Sequence, residues 1–172
     1  KRFKADKNVQ LLKDKSIIAP FALIRFVAFR AMHDRGNAGF SEMNKIQLVK
    51  SLSRFMNVYI SAEIPLVDEL KEYKLKTDPS DIHGVLSNAS LFIGESTTMA
   101  AEAAVLGVPS ICVNDAVLGY ITELADQYNL VFKYNSSAES QLAAINKSIE
   151  IIKQQGFKKE WHNRCLLYTS PS

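Results

Sequence analysis

Ser96, Thr97 and Thr98 stand between Gly94-Glu95, which follow the short apolar run Leu91–Ile93, and an alanine-rich run that begins at Met99. Hydroxyls at the first turn of a helix cap it and, with the amides of that turn, offer an anion a set of donors aimed one way. The helix dipole adds ~0.5–1 kcal/mol for a negative charge at that end. The chemistry this points to is phosphate binding. Glu102 lies four residues after Thr98 and so on the same helix face. Its carboxylate would repel a phosphate, but it can accept two hydrogen bonds from a ribose diol, as acidic residues do in dinucleotide folds. A plain N-cap and a solvated glutamate would give the same letters, so spacing alone leaves both readings open.

The stretch from Gly84 to Phe132 contains no lysine or arginine. A phosphate bound there must be met by backbone amides, by Arg25, Arg30 or Arg35 from another loop, or by another domain. There is no Walker lysine and no G-x-G-x-x-G spacing. His33 and Asp34, in a glycine-flanked loop, are the candidates for acid–base work or sugar binding, although adjacent side chains seldom point the same way. His83, just before Gly84, suits a base or phosphate contact as well as it suits a structural polar position. Tyr120 and Glu123 follow a further loop that could approach the base or the sugar.

These residues need a frame to bring them together, and the hydrophobic pattern supplies one. Residues 4–13 read as a helix, and Phe21–Phe29 as an apolar, β-branched strand with one charge inside it, Arg25, which needs a partner if buried. Ser41 caps a helix running to Phe55, Asn57–Ser61 is a strand, and Ala62–Pro65 is the loop beyond it. Val67–Tyr73 is a short helix, and Asp78-Pro79 starts another that reaches Asn88. Leu91–Ile93 is a strand, Met99–Leu106 a helix ended by Gly107 and Pro109, and Ser110–Val113 a strand. Gly119–Asn129, Leu130–Phe132 and Ala138–Gln155 follow as helix, strand and helix, with a last helical segment carrying Phe157 and Trp161. Alternating strands and helices without hairpin signals predict right-handed βαβ units: an α/β fold with a Rossmann-like parallel sheet and helices on both faces. The loops 30–39, 62–65, 94–98 and 114–119 all follow strands and share one edge, where such sheets bind ligands.

Composition sets the outer bounds. The 172 residues suit one domain, and 47% hydrophobic with 23% charged residues excludes global disorder. A net charge of +3 does not argue for nucleic acid. Two cysteines, Cys112 and Cys165, offer neither a disulfide framework nor metal-ligand spacing, which makes a reducing, cytoplasmic setting the default. No apolar run has the length of a membrane span and no signal peptide is visible, while an amphipathic helix touching a membrane surface stays open. The chain starts at Lys1 within a charged, helix-like stretch, and residues 165–172 lack any period and resemble read-through sequence. They are set aside from the fold.

The segment Glu95-Ser96-Thr97-Thr98-Met99-Ala100-Ala101-Glu102-Ala103, with Leu106-Gly107-Val108-Pro109 after it, resembles the nucleotide motif of the glycosyltransferase-B superfamily. It is similar to the non-hydrolysing UDP-N-acetylglucosamine 2-epimerases, whose loop reads Asp-Ser-Gly-Gly before a helix carrying a Glu. It is more similar still to an uncharacterised family of that superfamily with a Thr-Met-Ala-x-Glu-Ala-Ala-x-Leu-Gly-x-Pro segment. The stretch Arg25–Asp34 and the Ile82-His83 step fit that family too, so the resemblance spans about residues 1–135.

The resemblance implies the C-terminal domain of a two-domain glycosyltransferase-B fold, residues 1–164, with the N-terminal half absent. Gly94, Glu95, Ser96, Thr97 and Thr98 would then hold the diphosphate of a UDP-sugar, with Glu102 on the ribose and His83 beside them. Arg25 and Arg30 become phosphate or sugar contacts. Thr97-Thr98 depart from the epimerases' Gly-Gly and crowd the close approach that glycine permits. The loop 30–39 lacks the epimerases' Arg-Glu-Asn signature, so no catalytic role transfers to it. The function expected is half of a glycosyltransferase or sugar-nucleotide epimerase, with a UDP-sugar as ligand and no other cofactor. The alternative is a non-catalytic nucleotide-sugar-binding or assembly module.

Overall fold

A computed structural model describes residues 9–29, 38–154 and 156–169. Its frame is a parallel sheet of five strands: β1 (Phe21–Phe26), β2 (Asn57–Ala62), β3 (Leu91–Gly94), β4 (Ser110–Val113) and β5 (Val131–Tyr134), in the order β2-β1-β3-β4-β5. Every residue of β3 and β4 is buried. Helices cover both faces of such a sheet, and its inner strands therefore read as apolar runs without alternation.

The helices are α1 (Val9–Asp14), α2 (Glu42–Leu52), α3 (Ile82–Asn88), α4 (Thr97–Val105), α5 (Gly119–Asp126), α6 (Ala138–Lys153) and α7 (Phe157–Thr169). A right-handed crossover sends α2 to one face as the chain steps out from β1 to β2. The same rule sends α3, α4 and α5 to the other face as the chain steps back past β1 and on to β5. α6 returns over the first face to pack on α2, and α4 packs on α5 and α7. The direction of travel reverses after β2, so the switch in strand order lies between β1 and β3. The Rossmann-like α/β fold read from the hydrophobic pattern is the fold observed.

Several boundaries differ from the sequence reading, each for a local reason. The strand expected over residues 21–29 stops at Phe26, because the amides of Val27 and Ala28 are taken by the carboxylates of Glu95 (2.8 Å) and Glu63 (3.2 Å) and not by a neighbouring strand. Phe29 then turns away with φ 45°. α2 ends at Leu52, three residues early, where the Ser53 amide closes onto Val49. Residues 68–73 are a 3₁₀ helix, and Asp78 caps a 3₁₀ turn, Pro79–Asp81, that leads into α3. The last strand begins one residue later and runs two residues further than expected.

Residues 165–169, set aside on sequence, continue α7: Cys165 is buried with its Sγ 3.0 Å from the Val105 carbonyl, and the Tyr168 ring meets Tyr128 edge-on at 4.7 Å. β3 ends in a glycine because β1 leaves no room for more. A Cβ on Gly94 would lie 2.6 Å from the Arg25 carbonyl oxygen and 2.9 Å from the Arg25 Cβ.

Candidate functional site

The carboxyl ends of β1 and β3 form the crevice where doubly wound folds receive their ligands. Here a side chain of the protein fills it. Glu95, 1% exposed, points back under the post-β1 segment, where Oε2 accepts the Val27 amide (2.8 Å) and Oε1 the Phe40 amide (2.8 Å). Lys45 of α2 stands 3.7 Å from Oε1. Burial pushes the Glu95 carboxyl above its ordinary range, and Lys45 with the two amides offsets only part of that. The backbone of the same residue is held as firmly: its amide donates to the Arg25 carbonyl (2.9 Å) and its carbonyl accepts from Asn114 Nδ2 (2.7 Å).

α4 starts immediately after. Ser96 caps it, its hydroxyl accepting the Met99 amide at 3.2 Å. Helix geometry leaves the first amides, those of Thr97 and Thr98, without an intrahelical acceptor. The Thr97 hydroxyl is engaged by the Tyr120 hydroxyl at 3.0 Å, whereas Thr98 is exposed. One turn on, Glu102 faces His83 across 3.7 Å, with the two side chains 36% and 60% exposed. Two residues singled out separately in the sequence are thus neighbours, on α4 and α3.

A cleft of about 340 Å³ opens beside this helix start, lined among others by Arg25, Ser61, Lys74, Thr77, Ile82 and Met99. Met99 belongs to the first turn of α4, and Glu102, three residues on, shares its helix face. The outer wall is the segment after the 3₁₀ helix: Lys74 bridges to Ile60 and the Leu75 amide donates to the Ile60 carbonyl at 2.8 Å. Arg25 finds the partners its place in a strand requires, Nη1 donating to Ser61 Oγ (2.6 Å) and Nη2 pairing with Glu63. Its Nε and the Thr77 hydroxyl, both buried, have no hydrogen-bond partner among the described residues. Both residues line the cleft, with these two atoms beneath its surface.

Lys74 and Thr77 escaped the sequence reading. They lie between two short 3₁₀ segments, with no periodicity to mark a wall. The only available signal was a lysine following the β2 loop in a chain that lacks cations from Gly84 to Phe132.

Arg30, His33 and Asp34 lie outside the described residues, as does Arg35. The segment that follows them is tied down by side chains from across the sheet. Ala38 donates its amide to Asp115 Oδ2 (3.1 Å), Phe40 to Glu95, and Ser41 to Gln141 Oε1 (3.0 Å), while Gln141 Nε2 donates to the Gly39 carbonyl (3.2 Å). Burial pushes the Asp115 carboxyl up, but the Ser136 hydroxyl and amide and the Ala38 amide outweigh it and hold the group below its ordinary range.

No family model and no curated protein matches the chain. Among solved structures, the crystal structure of the glycotransferase of kitacinnamycin superposes with a TM-score of 0.53 at 12% identity, over 87% of this chain and 40% of that one. The fold is glycosyltransferase-like. At that identity the likeness is one of fold alone, and the chain spans well under half of that protein's length. Among the described residues, no three His, Cys, Asp or Glu side chains gather to hold a metal ion, and no helix is long and apolar enough to cross a membrane.

Proposed function

We propose that the chain is the nucleotide-sugar-binding half of a glycosyltransferase or sugar-nucleotide epimerase of the glycosyltransferase-B type. The observation that carries the reading is the cleft beside the start of α4, walled by Arg25, Lys74, Thr77 and Met99. In this pose the nucleoside of a UDP-sugar enters the cleft and its ribose diol bonds to Glu102. The diphosphate lies across the first turn of α4. The donors there are the amides and the hydroxyls of Thr97 and Thr98; Thr97 accepts from the Tyr120 hydroxyl and so keeps its own proton to donate. Lys74 supplies the cation that the stretch from Gly84 to Phe132 lacks. Arg25 contributes hydrogen bonds more than charge, because Glu63 already neutralises it. Side chains for the chemical step come from the other half, or from the segment containing His33 and Asp34.

Isothermal titration of the chain with UDP, beside a Glu102→Ala variant, tests this. Loss of the ribose bonds weakens binding roughly tenfold. No binding by the unmutated chain at millimolar UDP overturns the reading.

A further inference from the structure

The buried carboxylate at the strand-order switch sits where this class of fold usually places its ligand, and each of its oxygens accepts a backbone amide. Glu95 closes a ring of four structural pieces. Its side chain holds the two ends of the β1–α2 connection at Val27 and Phe40. Its amide holds β1 at Arg25, and its carbonyl holds the post-β4 loop at Asn114. The next residue is the N-cap of α4, so whatever fixes Glu95 fixes the direction of the Thr97 and Thr98 amides. We propose that Glu95 is a positioning residue for the nucleotide site and not one of its ligands: it is an internal anion that occupies the switch-point crevice, aims the α4 N-terminus, and displaces the bound diphosphate outward toward the cleft. This inference rests on the nucleotide reading above and adds a residue whose role is indirect.

The chemistry of the clamp makes it separable from simple packing. Two backbone N–H groups converge on two carboxylate oxygens, and an ionised carboxylate accepts from both more strongly than a neutral carboxyl does. Protonation weakens the bond to the hydroxyl oxygen, and a glutamine of the same shape turns its NH2 toward one of those amides and releases it. Among the described residues, the groups facing Glu95 are Lys45 from α2 and the Cys112 thiol from β4, which burial pushes up to about 12 and so keeps neutral. The Arg25 guanidinium is turned away to Ser61 and Glu63.

The test measures affinity for a UDP-sugar, whose diphosphate has no ionisation near neutral pH, as pH is lowered, in the unmutated chain and in Glu95→Gln. The unmutated chain loses affinity on acidification. Glu95→Gln binds roughly tenfold more weakly at neutral pH and has a shallower pH dependence, while its melting temperature does not fall. Equal affinity with an unchanged pH profile overturns the positioning role and leaves the nucleotide site standing. An affinity loss that only follows loss of folded protein, read by circular dichroism at the titration temperature, overturns it as well. If the unmutated chain binds no UDP-sugar, the nucleotide reading fails and this inference fails with it.

Discussion

The Glu95 carboxylate occupies the space that a side chain at Gly39 would need. A Cβ on Gly39 would stand 2.3 Å from Glu95 Oε1 and 2.5 Å from the carboxyl carbon. The carboxylate cannot swing aside without releasing the Val27 and Phe40 amides, so residue 39 is restricted to glycine by a charge held just past the end of β3. Gly39→Ala should therefore destabilise the chain by about 1–3 kcal/mol, the usual range for overpacking a filled interior. Chemical denaturation of the two proteins measures it. In a Gly39→Ala/Glu95→Ala double variant the two effects should be markedly less than additive, because the clash is gone.

Acid should act on the carboxyls of Glu95 and Asp115 with opposite signs. The Glu95 pKa is raised in the fold, so the folded state binds its proton more readily than the unfolded chain does. That stabilisation is complete below the unfolded carboxyl pKa and is lost as pH rises through the raised folded value. Asp115 is the reverse: its folded pKa is lowered, so its contribution is present above the unfolded value and is lost as pH falls through the lowered one. Melting temperatures taken from acid to neutral pH should show Glu95→Gln flattening the decline on the rising-pH side, and Asp115→Asn flattening the decline at the acid end.

Thr77 offers a cleaner probe of the cleft than Arg25, because its buried hydroxyl has no partner among the described residues to lose. Thr77→Val keeps the shape and removes the unmatched oxygen, so the free chain should be as stable as before or slightly more stable. If the hydroxyl meets a nucleotide acceptor, UDP affinity falls by roughly three- to tenfold, an opposite movement of stability and binding. Lys74→Ala should lower affinity as well, and its effect should shrink as salt is added, since the lysine is exposed. Calorimetry at two ionic strengths distinguishes the two variants.

The frame of this molecule was legible because short apolar strands between helix caps leave few topologies open. The Ser96 cap, the Gly107-Pro109 stop and the buried β3 and β4 runs were all visible as residue types at fixed spacing. Glu95 was legible only as a member of a motif. The letter E beside a helix start looks like a ligand contact, and nothing local reveals that its partners sit 55 and 68 residues away. The cleft wall was hidden for the same reason. Lys74 and Thr77 take their place from a bridge to Ile60, a long-range pairing without a period. Arg25 was the exception: the cost of a charge inside a strand predicted a paired arginine, and Ser61 and Glu63 are the pair.

The C-terminal helix makes a final claim that stability measurements can decide. Trp161 is 1% exposed, stacked on Phe157 at 5.3 Å between centroids and tilted against Phe132 of β5 at 5.5 Å. Together the three rings join α7 to the edge of the sheet. Trp161→Ala should cost about 3–5 kcal/mol, as large-to-small changes in a filled core do. Its buried Nε1 has no partner among the described residues, so Trp161→Phe gives up area but removes an unsatisfied donor and should cost far less than the alanine change. Urea titrations of the three proteins compare them. An alanine variant as stable as the unmutated chain would place α7 outside the cooperative fold and leave Cys165 and Tyr168 with no structural role.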